Sequence, residues 1–425
     1  MDLGEKLRAA WKSAASEAGG IEHLTELFSR LALLFSGCWV LALVFLDWVR
    51  SPFFAGVFLT ALMLGGFALG IVNIALSLQA WVPARRLALF VPISVAYLVV
   101  VHYFVFVHLV PFYGTDGMAY SHYSALLLLQ GRNPYTENLA PALPFFHIPE
   151  FYVTPLEGGG IVSRQTYPAL SFLLYVPFAV AGISDLRFLA LFAHVLSVFL
   201  VYRITPPPLR AFAALTLALP DQLDFTPGSV QDILWVPPLL LSIYWLDRRR
   251  VSGFFYGIAS SIKPLPWLVA PFLVVHLWER DRSQNHGRIG IVQFVASAGV
   301  SFLLFNGPFI AWDARAWFSG VLDPFFGQDV PLGPGLSILS QSAWFPIPRG
   351  FYLVAVAAVG LGLLLTERLE HPRMQYLVWW LPAILMFFAY RSLQNYFIYW
   401  YPMAIVSLGA WFREGAIRRT DAPVA

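Results

Sequence analysis

The sequence predicts an all-α, polytopic integral membrane protein with about 12 transmembrane helices and with juxtamembrane helices in a long first external loop. Of the 425 residues, 58% are apolar and 12% are charged, which is about half the charged share of a typical soluble domain. Apolar runs of about 20 residues, the length that spans a bilayer, recur along the chain. Most of the 27 basic residues fall in alternate connections between these runs. This composition excludes a disordered chain and a water-soluble globular enzyme.

The chain is expected to begin with a cytoplasmic amphipathic tail, 1–29, which lacks the apolar core and cleavage site of a signal peptide. Two additional spans in 30–80 are predicted to precede a catalytic domain in 81–425. Apolar runs predict spans at 30–49, 53–79, 87–111, 186–203, 230–246, 288–310, 350–366, 373–389 and 394–412, with a shorter candidate at 209–220.

Two further apolar segments are not expected to cross the membrane as single helices. Arginines flank 252–278 on both sides, and the positive-inside rule places both flanks in the cytoplasm. The sequence Lys-Pro-Leu-Pro at 263–266 interrupts this segment, so we expect a hairpin of two short helices with Lys263 near its tip. A juxtamembrane or re-entrant helix is expected at 168–183, because a full crossing would place Arg203 and Arg210 outside.

The charge distribution also predicts the orientation. With the arginine-rich connections in the cytoplasm, both termini are cytoplasmic and two long segments, 112–185 and 311–349, lie outside. Long loops on one face of a rigid scaffold are where chemistry is usually found. We therefore expect a multi-pass protein of the plasma membrane whose active site faces the extracytoplasmic side.

Asp116 is the candidate catalytic base. It directly follows a predicted span, among aromatic neighbours, where limited access of water would raise the pKa of its carboxyl group and suit it to deprotonate a hydroxyl. The alternative interpretation is a helix N-cap, because an amphipathic helix is predicted at 118–130.

Three polar residues are predicted at membrane depth. Gln231 and Asp232 lie at the mouth of a span, where polar side chains usually face a cavity and could bind a hydroxyl-rich ligand, although helix capping explains them equally. Lys263 is a functional-site candidate whose natural partner is a phosphate or a carboxylate. The alternative interpretation is that the Lys263 side chain snorkels to the cytoplasm, but from the tip of a hairpin the side chain would not reach it.

Arg391, near a predicted external membrane boundary, is a second candidate for an anionic headgroup, or else an interfacial anchor. The sequence contains no Walker A loop, no dinucleotide fingerprint and no His/Cys metal spacing. Its single cysteine, Cys38, excludes a disulfide framework. We expect no cofactor, no catalytic metal and no nucleic-acid partner.

Three stretches together resemble the GT-C superfamily of membrane glycosyltransferases, and most closely glycosyltransferase family 87, the polyprenol-phosphate-mannose-dependent α-1,2-mannosyltransferase-like proteins. The motifs, in chain order, are Asp116-Gly-Met-Ala-Tyr120 followed by Gly131-Arg-Asn133-Pro-Tyr135, then Gly228-Ser-Val-Gln231-Asp232-Ile-Leu, then Gly253-Phe-Phe-Tyr-Gly257-Ile-Ala-Ser-Ser-Ile-Lys263-Pro264. The resemblance covers about 87–412. Two features depart from the family pattern, namely the two spans ahead of the Asp loop and Asp232 in place of the usual Asn.

The resemblance implies a reaction. Asp116 would act as general base on an acceptor hydroxyl, which attacks the anomeric carbon of a polyprenyl-phosphate sugar donor with inversion. Lys263 and Arg391 would stabilise the leaving phosphate. The acceptor would be a glycolipid or glycan at the lipid bilayer, and mannose is the favoured sugar. Sugar and acceptor contacts are expected from Tyr120, Asn133, Tyr135, Arg164, Gln231, Asp232 and Asn395.

Three other functions compete with this one. A transporter or flippase for lipid-linked saccharides would need cavity charges accessible from both faces, whereas this chain concentrates its polar loops on one. An O-antigen polymerase or ligase also acts outside on lipid-linked sugars, but its resemblances depend on external arginines and histidines. If the protein is a non-catalytic scaffold, the substitution Asp116→Asn would have no effect in any assay.

Overall fold

A computed structural model describes residues 20–51, 56–79, 81–228, 230–283, 289–341 and 345–409. Within these residues the chain is helical, and its β-type pairing is limited to isolated bridges. The α-helices in chain order are α1 Gly20–Arg50, α2 Val57–Leu78, α3 Ala84–Leu87, α4 Phe90–Leu109, α5 Asp116–Leu129, α6 Ala142–Phe145, α7 Leu170–Leu173, α8 Val176–Val180, α9 Phe188–Ile204, α10 Arg210–Leu215, α11 Pro220–Phe225, α12 Val236–Tyr244, α13 Arg249–Ile262, α14 Ala270–Ser283, α15 Ile289–Trp312, α16 Ala314–Val321, α17 Asp323–Phe326, α18 Ser337–Gln341, α19 Arg349–Leu369, α20 His371–Met374, α21 Leu381–Phe387 and α22 Gln394–Ile398. Short 3₁₀ helices lie at Glu150–Tyr152, Gln231–Trp235 and Leu265–Val269, and 401–409 is also helical.

Five helical segments within the described residues are long and apolar enough to cross a membrane: Glu22–Arg50, Val57–Leu78, Ala84–Leu109, Ile289–Trp312 and Arg349–Leu369. Their outward faces are apolar. In α15, for example, Val292, Val300 and Leu304 are each more than 60% exposed. So much exposed apolar surface would be unfavourable in water and is compatible with lipid around a membrane protein.

The prediction of 12 spans is not confirmed. The chain is helical at the other expected positions, but the helices there are shorter or interrupted. Helix α9 has 17 residues, α10 has six, and the span expected at 230–246 is a 3₁₀ helix followed by α12. Prolines lie at several of these interruptions, because a proline has no backbone N–H to donate and is tolerated between helices or in the first turn of one. They are found between α9 and α10 at 206–208, and in the first turns of α12 and α21 at 237–238 and 382.

The chain divides into two compact units. The first comprises residues up to Val105, Val195–Leu223 and residues from Ile405 onward. In this unit the Asn73 amide donates to the hydroxyls of Ser36 and Ser94, at 2.9 and 2.7 Å, and so links α2 to α1 and α4. The boundary expected after residue 80 falls within this unit, and the catalytic domain expected at 81–425 stays a prediction.

The second unit comprises Phe106–His194 and Asp224–Ala404, and it contains the expected break at Lys263. Helix α13 ends at Ile262, and α14 begins at Ala270 after the short 3₁₀ helix. The chain turns back here, because Arg249 at the start of α13 forms a 2.6 Å ion pair with Asp281 near the end of α14. Helix α13 packs on α15 through Gly257, where an added Cβ would lie 2.4 Å from the carbonyl oxygen of Ala298.

Two other expectations concern the chain ends and 168–183. Residues 1–19 of the expected tail, and residues from 410 to the C-terminus, lie outside the described residues. Residues 20–29 form the first part of α1, continuous with the first expected span. The helix expected at 168–183 is present as two short helices, α7 and α8, with Pro177 in the first turn of the second.

Candidate active site

The second unit encloses a cavity of about 260 Å³. Its charged lining residues are three carboxylates and two cations: Asp116, Asp232, Asp329, Lys263 and Arg391. Tyrosines, amides and threonines supply further polar groups, and leucine, valine and methionine side chains line one side. A mostly apolar cavity with a few convergent polar groups is typical of a small-molecule site.

Asp116 is the first residue of α5, and its carboxylate faces this cavity. The N-cap of the helix is Thr115, whose hydroxyl accepts from the backbone N–H of Met118, so the capping interpretation of Asp116 is wrong. One Asp116 oxygen accepts a 2.7 Å hydrogen bond from the backbone N–H of Thr154. Burial raises the pKa of the Asp116 carboxyl, whereas Thr154 and the charge of Arg391 oppose the increase. The carboxyl group is thus adapted to accept a proton.

Two glycines bring the start of α5 close to the turn that precedes Gln231. A Cβ added at Gly114 would lie 2.5 Å from the carbonyl oxygen of Gly228, so the two backbones are in direct contact. A glycine is also required at the first position of the second motif, because a Cβ added at Gly228 would lie 2.8 Å from the carbonyl oxygen of Asp224. The close approach of Gly114 to Gly228 brings the loop that carries Asp116 next to the 3₁₀ helix that carries Gln231 and Asp232.

Lys263 is paired within the protein. Its Nζ donates to an Asp232 oxygen at 2.6 Å, and both side chains are buried. Asp232 also accepts from the Asn395 amide and from the indole N–H of Trp235. Among the described residues Asp232 is the hydrogen-bond partner of the ammonium group, so two of its three N–H groups are left for a ligand oxygen.

Two tyrosine rings flank the Lys263 ammonium. Its Nζ lies 4.9 Å from the ring centre of Tyr167 and 5.2 Å from that of Tyr396, within the range of cation–π attraction. The Tyr167 ring also covers the start of α5, since a Cβ added at Gly117 would approach it to 3.3 Å. Tyr167 therefore lies between the residue that follows Asp116 and the Lys263 ammonium.

Arg391 forms the second ion pair of the cavity, with Asp329 at 2.9 Å. Its Nε and one Asp329 oxygen are buried without a partner among the described residues, and so is the Gln231 side-chain oxygen. Unpartnered buried polar atoms are costly, and several of them around one cavity indicate groups that a ligand would satisfy.

Backbone pairing joins the two long loops expected outside, and the turn at Arg391, around the cavity. Leu156 bridges Asp329, Glu157 donates its N–H to the Gln328 carbonyl at 2.8 Å, and Leu332 bridges Arg391. Segments far apart in sequence are thereby held in fixed register. Asp329 and Arg391 consequently lie side by side although 62 residues separate them.

The predicted site residues fall into two groups. Those that line the cavity are Asp116, Tyr120, Gln231, Asp232, Lys263, Arg391 and Asn395. Those that do not are Asn133, Tyr135 and Arg164. The Asn133 side chain accepts from the Tyr135 backbone N–H within a turn, and Tyr135 packs in a core with Phe172, Phe309 and Trp317. Arg164 is exposed and lies 3.7 Å from Asp323.

The sequence prediction omitted Thr154, Tyr167, Asp329 and Tyr396, which also line the cavity. Tyr167 precedes a proline at a helix start, a pattern that suits an interfacial anchor just as well. Asp329 lies in a loop with other acidic residues, and Thr154 contacts Asp116 through both its side chain and its backbone N–H, which no local pattern predicts. Only Tyr396 had a local signal, because it directly follows Asn395.

The distribution of charge in the cavity limits its chemistry. Both cations are neutralised by their own carboxylates, so among the described residues Asp116 is the cavity carboxylate without an ion-pair partner. A partly desolvated, unpaired carboxylate beside hydrogen-bond donors can accept a proton from a bound hydroxyl.

Comparison with known proteins gives no match: no protein-family model, no characterised protein and no solved structure matches the chain. The resemblance to glycosyltransferase family 87 therefore rests on the three sequence motifs and on the expectations that follow from them.

Proposed function

We propose that the protein is a membrane glycosyltransferase that transfers a sugar from a polyprenyl-phosphate donor to a hydroxyl of a glycolipid or glycan. Mannose is the favoured sugar, the reaction inverts the anomeric configuration, and the site faces the extracytoplasmic side of the plasma membrane. The chain crosses the membrane about 12 times with both termini in the cytoplasm, and its short or interrupted helices contribute to the crossings.

The observation that carries this proposal is Asp116, the cavity carboxylate that has no ion-pair partner among the described residues. The acceptor hydroxyl binds beside it. As the hydroxyl oxygen forms its bond to the anomeric carbon, the proton passes to Asp116 and the bond from that carbon to the phosphate oxygen breaks. Polyprenyl phosphate leaves with the bonding electrons, on the face of the sugar opposite to the attack. The raised pKa of Asp116 favours proton transfer to it.

The donor phosphate is held by hydrogen bonds from two directions. Lys263 offers the two N–H groups that Asp232 does not use, and Arg391 offers its buried, unpartnered Nε. Because both cations are already paired, phosphate binding depends on these oriented donors more than on net positive charge. Asn395, which bonds to Asp232, is a positioning residue that holds the Lys263 partner in place.

The apolar side of the cavity suits the lipid of the donor. Leu265 and Leu268 follow Lys263 along the chain, and Leu353, Val356 and Met386 complete this wall. A polyprenyl chain bound here would start beside Lys263, where its phosphate is expected. Burial of apolar lipid surface gives affinity without directional contacts, roughly 0.8 kcal/mol for each buried CH₂ group.

A transfer assay with a donor panel tests the proposal. Purified protein in lipid nanodiscs receives radiolabelled sugars on short-chain polyprenyl phosphate, mannose first, with a membrane-lipid and glycan extract as acceptor. Transfer from one donor, with inversion, supports the proposal. Absence of transfer from every donor, in protein that binds the donor lipid, contradicts it and favours a transporter of lipid-linked saccharides.

Arg391→Lys separates donor binding from the base. The lysine retains the charge next to Asp329 but has no planar group to place a second donor. We expect the KM for the donor to rise while the pH dependence of kcat stays unchanged. Exposed Arg132, which pairs with Glu137 outside the cavity, provides the matched control Arg132→Lys, with no expected change in KM.

A further inference from the structure

A second cluster of side chains joins helix α14, which follows the cavity residues Leu265 and Leu268, to helix α19, which supplies residues to the cavity. His276 of α14, Glu367 near the end of α19 and His371 at the start of α20 lie together, and one ligand atom of each is within 4.8 Å of the others. Helices α14 and α19 pack against each other. Sequence spacing gives little sign of this cluster, because 91 residues separate His276 from Glu367.

Two buried atoms of the cluster have no hydrogen-bond partner among the described residues. They are Nδ1 of His276 and one carboxylate oxygen of Glu367. Glu367 is fully buried and His276 is 4% exposed, so water does not readily satisfy either atom. Both atoms can donate a lone pair, and a cation would satisfy both at once.

Two ligand distances bracket those of a tetrahedral metal ion. Oε1, the other oxygen of the Glu367 carboxylate, lies 2.9 Å from Nδ1 of His371 and 3.8 Å from Nδ1 of His276. Zinc bonds to nitrogen and oxygen of about 2.0–2.1 Å place tetrahedral ligands roughly 3.3 Å apart, between these two values. Two imidazoles and one carboxylate form a donor set that zinc takes readily, whereas calcium and magnesium prefer oxygen alone.

The nearby arginines do not oppose a cation strongly, because each has its own carboxylate. Arg249 pairs with Asp281 at 2.6 Å, and Arg280 pairs with Asp247. The net charge next to the cluster is therefore close to zero apart from Glu367, which itself attracts a divalent ion.

We propose that His276, Glu367 and His371 bind one zinc ion. The ion clamps α14 to α19 and α20. Other parts of the same chain segments contact the cavity, since Leu265 and Leu268 precede α14 and Tyr352, Leu353 and Val356 belong to α19. The metal site therefore fixes the spacing of two cavity walls without taking part in sugar transfer, and it is independent of the proposed function.

Zinc content tests this proposal. The protein is purified by a tag without histidine, stripped with a chelator, incubated with zinc alone and desalted, and its metal is measured by elemental mass spectrometry. The variants are His276→Ala and His371→Ala. His371 lies at the start of a helix, so its replacement by alanine should disturb packing less than that of His276. His108→Ala, at an exposed histidine, is the matched control.

We expect wild type and His108→Ala to retain one zinc per chain and both ligand variants to lose it while eluting as monodisperse protein. The melting temperature of stripped wild type should rise on addition of zinc, and that of His371→Ala should not. Cobalt in place of zinc should give the intense visible bands of tetrahedral coordination. Wild type without retained zinc, or equal retention in wild type and folded His371→Ala, would overturn the assignment.

Discussion

Removing either member of the Lys263–Asp232 ion pair should strongly destabilise the protein. The Asp232 side chain is fully buried and that of Lys263 is 6% exposed, so each single substitution leaves a lone charge away from water. Breaking a buried pair in this way costs about 3–5 kcal/mol. The double variant Lys263→Met/Asp232→Leu leaves no lone charge, so its cost should be well below the sum of the single costs of Lys263→Met and Asp232→Leu.

The assay is reversible unfolding in mixed micelles, with the free energy of unfolding obtained for each variant. Arg132→Gln provides the control, because Arg132 forms an ion pair with Glu137 in which its side chain is 49% exposed, and solvent-exposed pairs contribute little to stability. If Asp232→Leu costs no more than Arg132→Gln, or if the single costs simply add in the double variant, the reasoning about a buried pair is wrong.

Three further predictions follow from other parts of the structure. Transfer activity should fall with decreasing pH as Asp116 becomes protonated, with a midpoint above the ordinary aspartate value of about 3.9, because burial raises its pKa; a pH–rate profile measures this midpoint. Gly257→Ala should lower stability by about 1–3 kcal/mol, because its Cβ meets the backbone of α15, whereas Gly299→Ala, with open space around it, should not; detergent unfolding compares them. Tyr135→Phe should cost about 1 kcal/mol of stability, because it removes the 2.9 Å hydrogen bond to the Tyr167 carbonyl. Steady-state kinetics should show unchanged KM values for the sugar donor and for the acceptor.

Features of the fold that depend on local sequence could be predicted. Lysine followed by proline ends α13 close to where the pattern indicates, and the uninterrupted apolar runs form the long helices α1, α2, α4, α15 and α19. Hydropathy alone overestimated the length of other helices. Apolar composition continues across the expected spans at 230–246 and 373–389, but the α-helices α12 and α21 begin only at Val236 and Leu381, with Pro237 and Pro382 in their first turns.

Cavity residues were predictable where a motif or a predicted membrane boundary gave both the residue and its depth. Asp116, Asp232 and Lys263 had such motifs, Arg391 had such a position, and all four line the cavity. The pairing of Lys263 with Asp232 had no signal, because 31 residues separate them and the contact depends on tertiary packing. Tyr135 illustrates the opposite error, since an aromatic residue in a recognisable motif packs in a core and does not face the cavity.

The role of Asp116 as general base is the central claim, and single-turnover transfer by Asp116→Asn tests it most directly. The asparagine keeps the size and polarity of the side chain but cannot accept the proton, and removal of a general base typically costs about 10²–10⁴-fold in rate. Glu150→Gln, at an exposed carboxylate of the same long loop, is the matched control. The account predicts a loss within that range for Asp116→Asn, donor binding equal to wild type, and full activity for Glu150→Gln. Undiminished transfer by Asp116→Asn would contradict it.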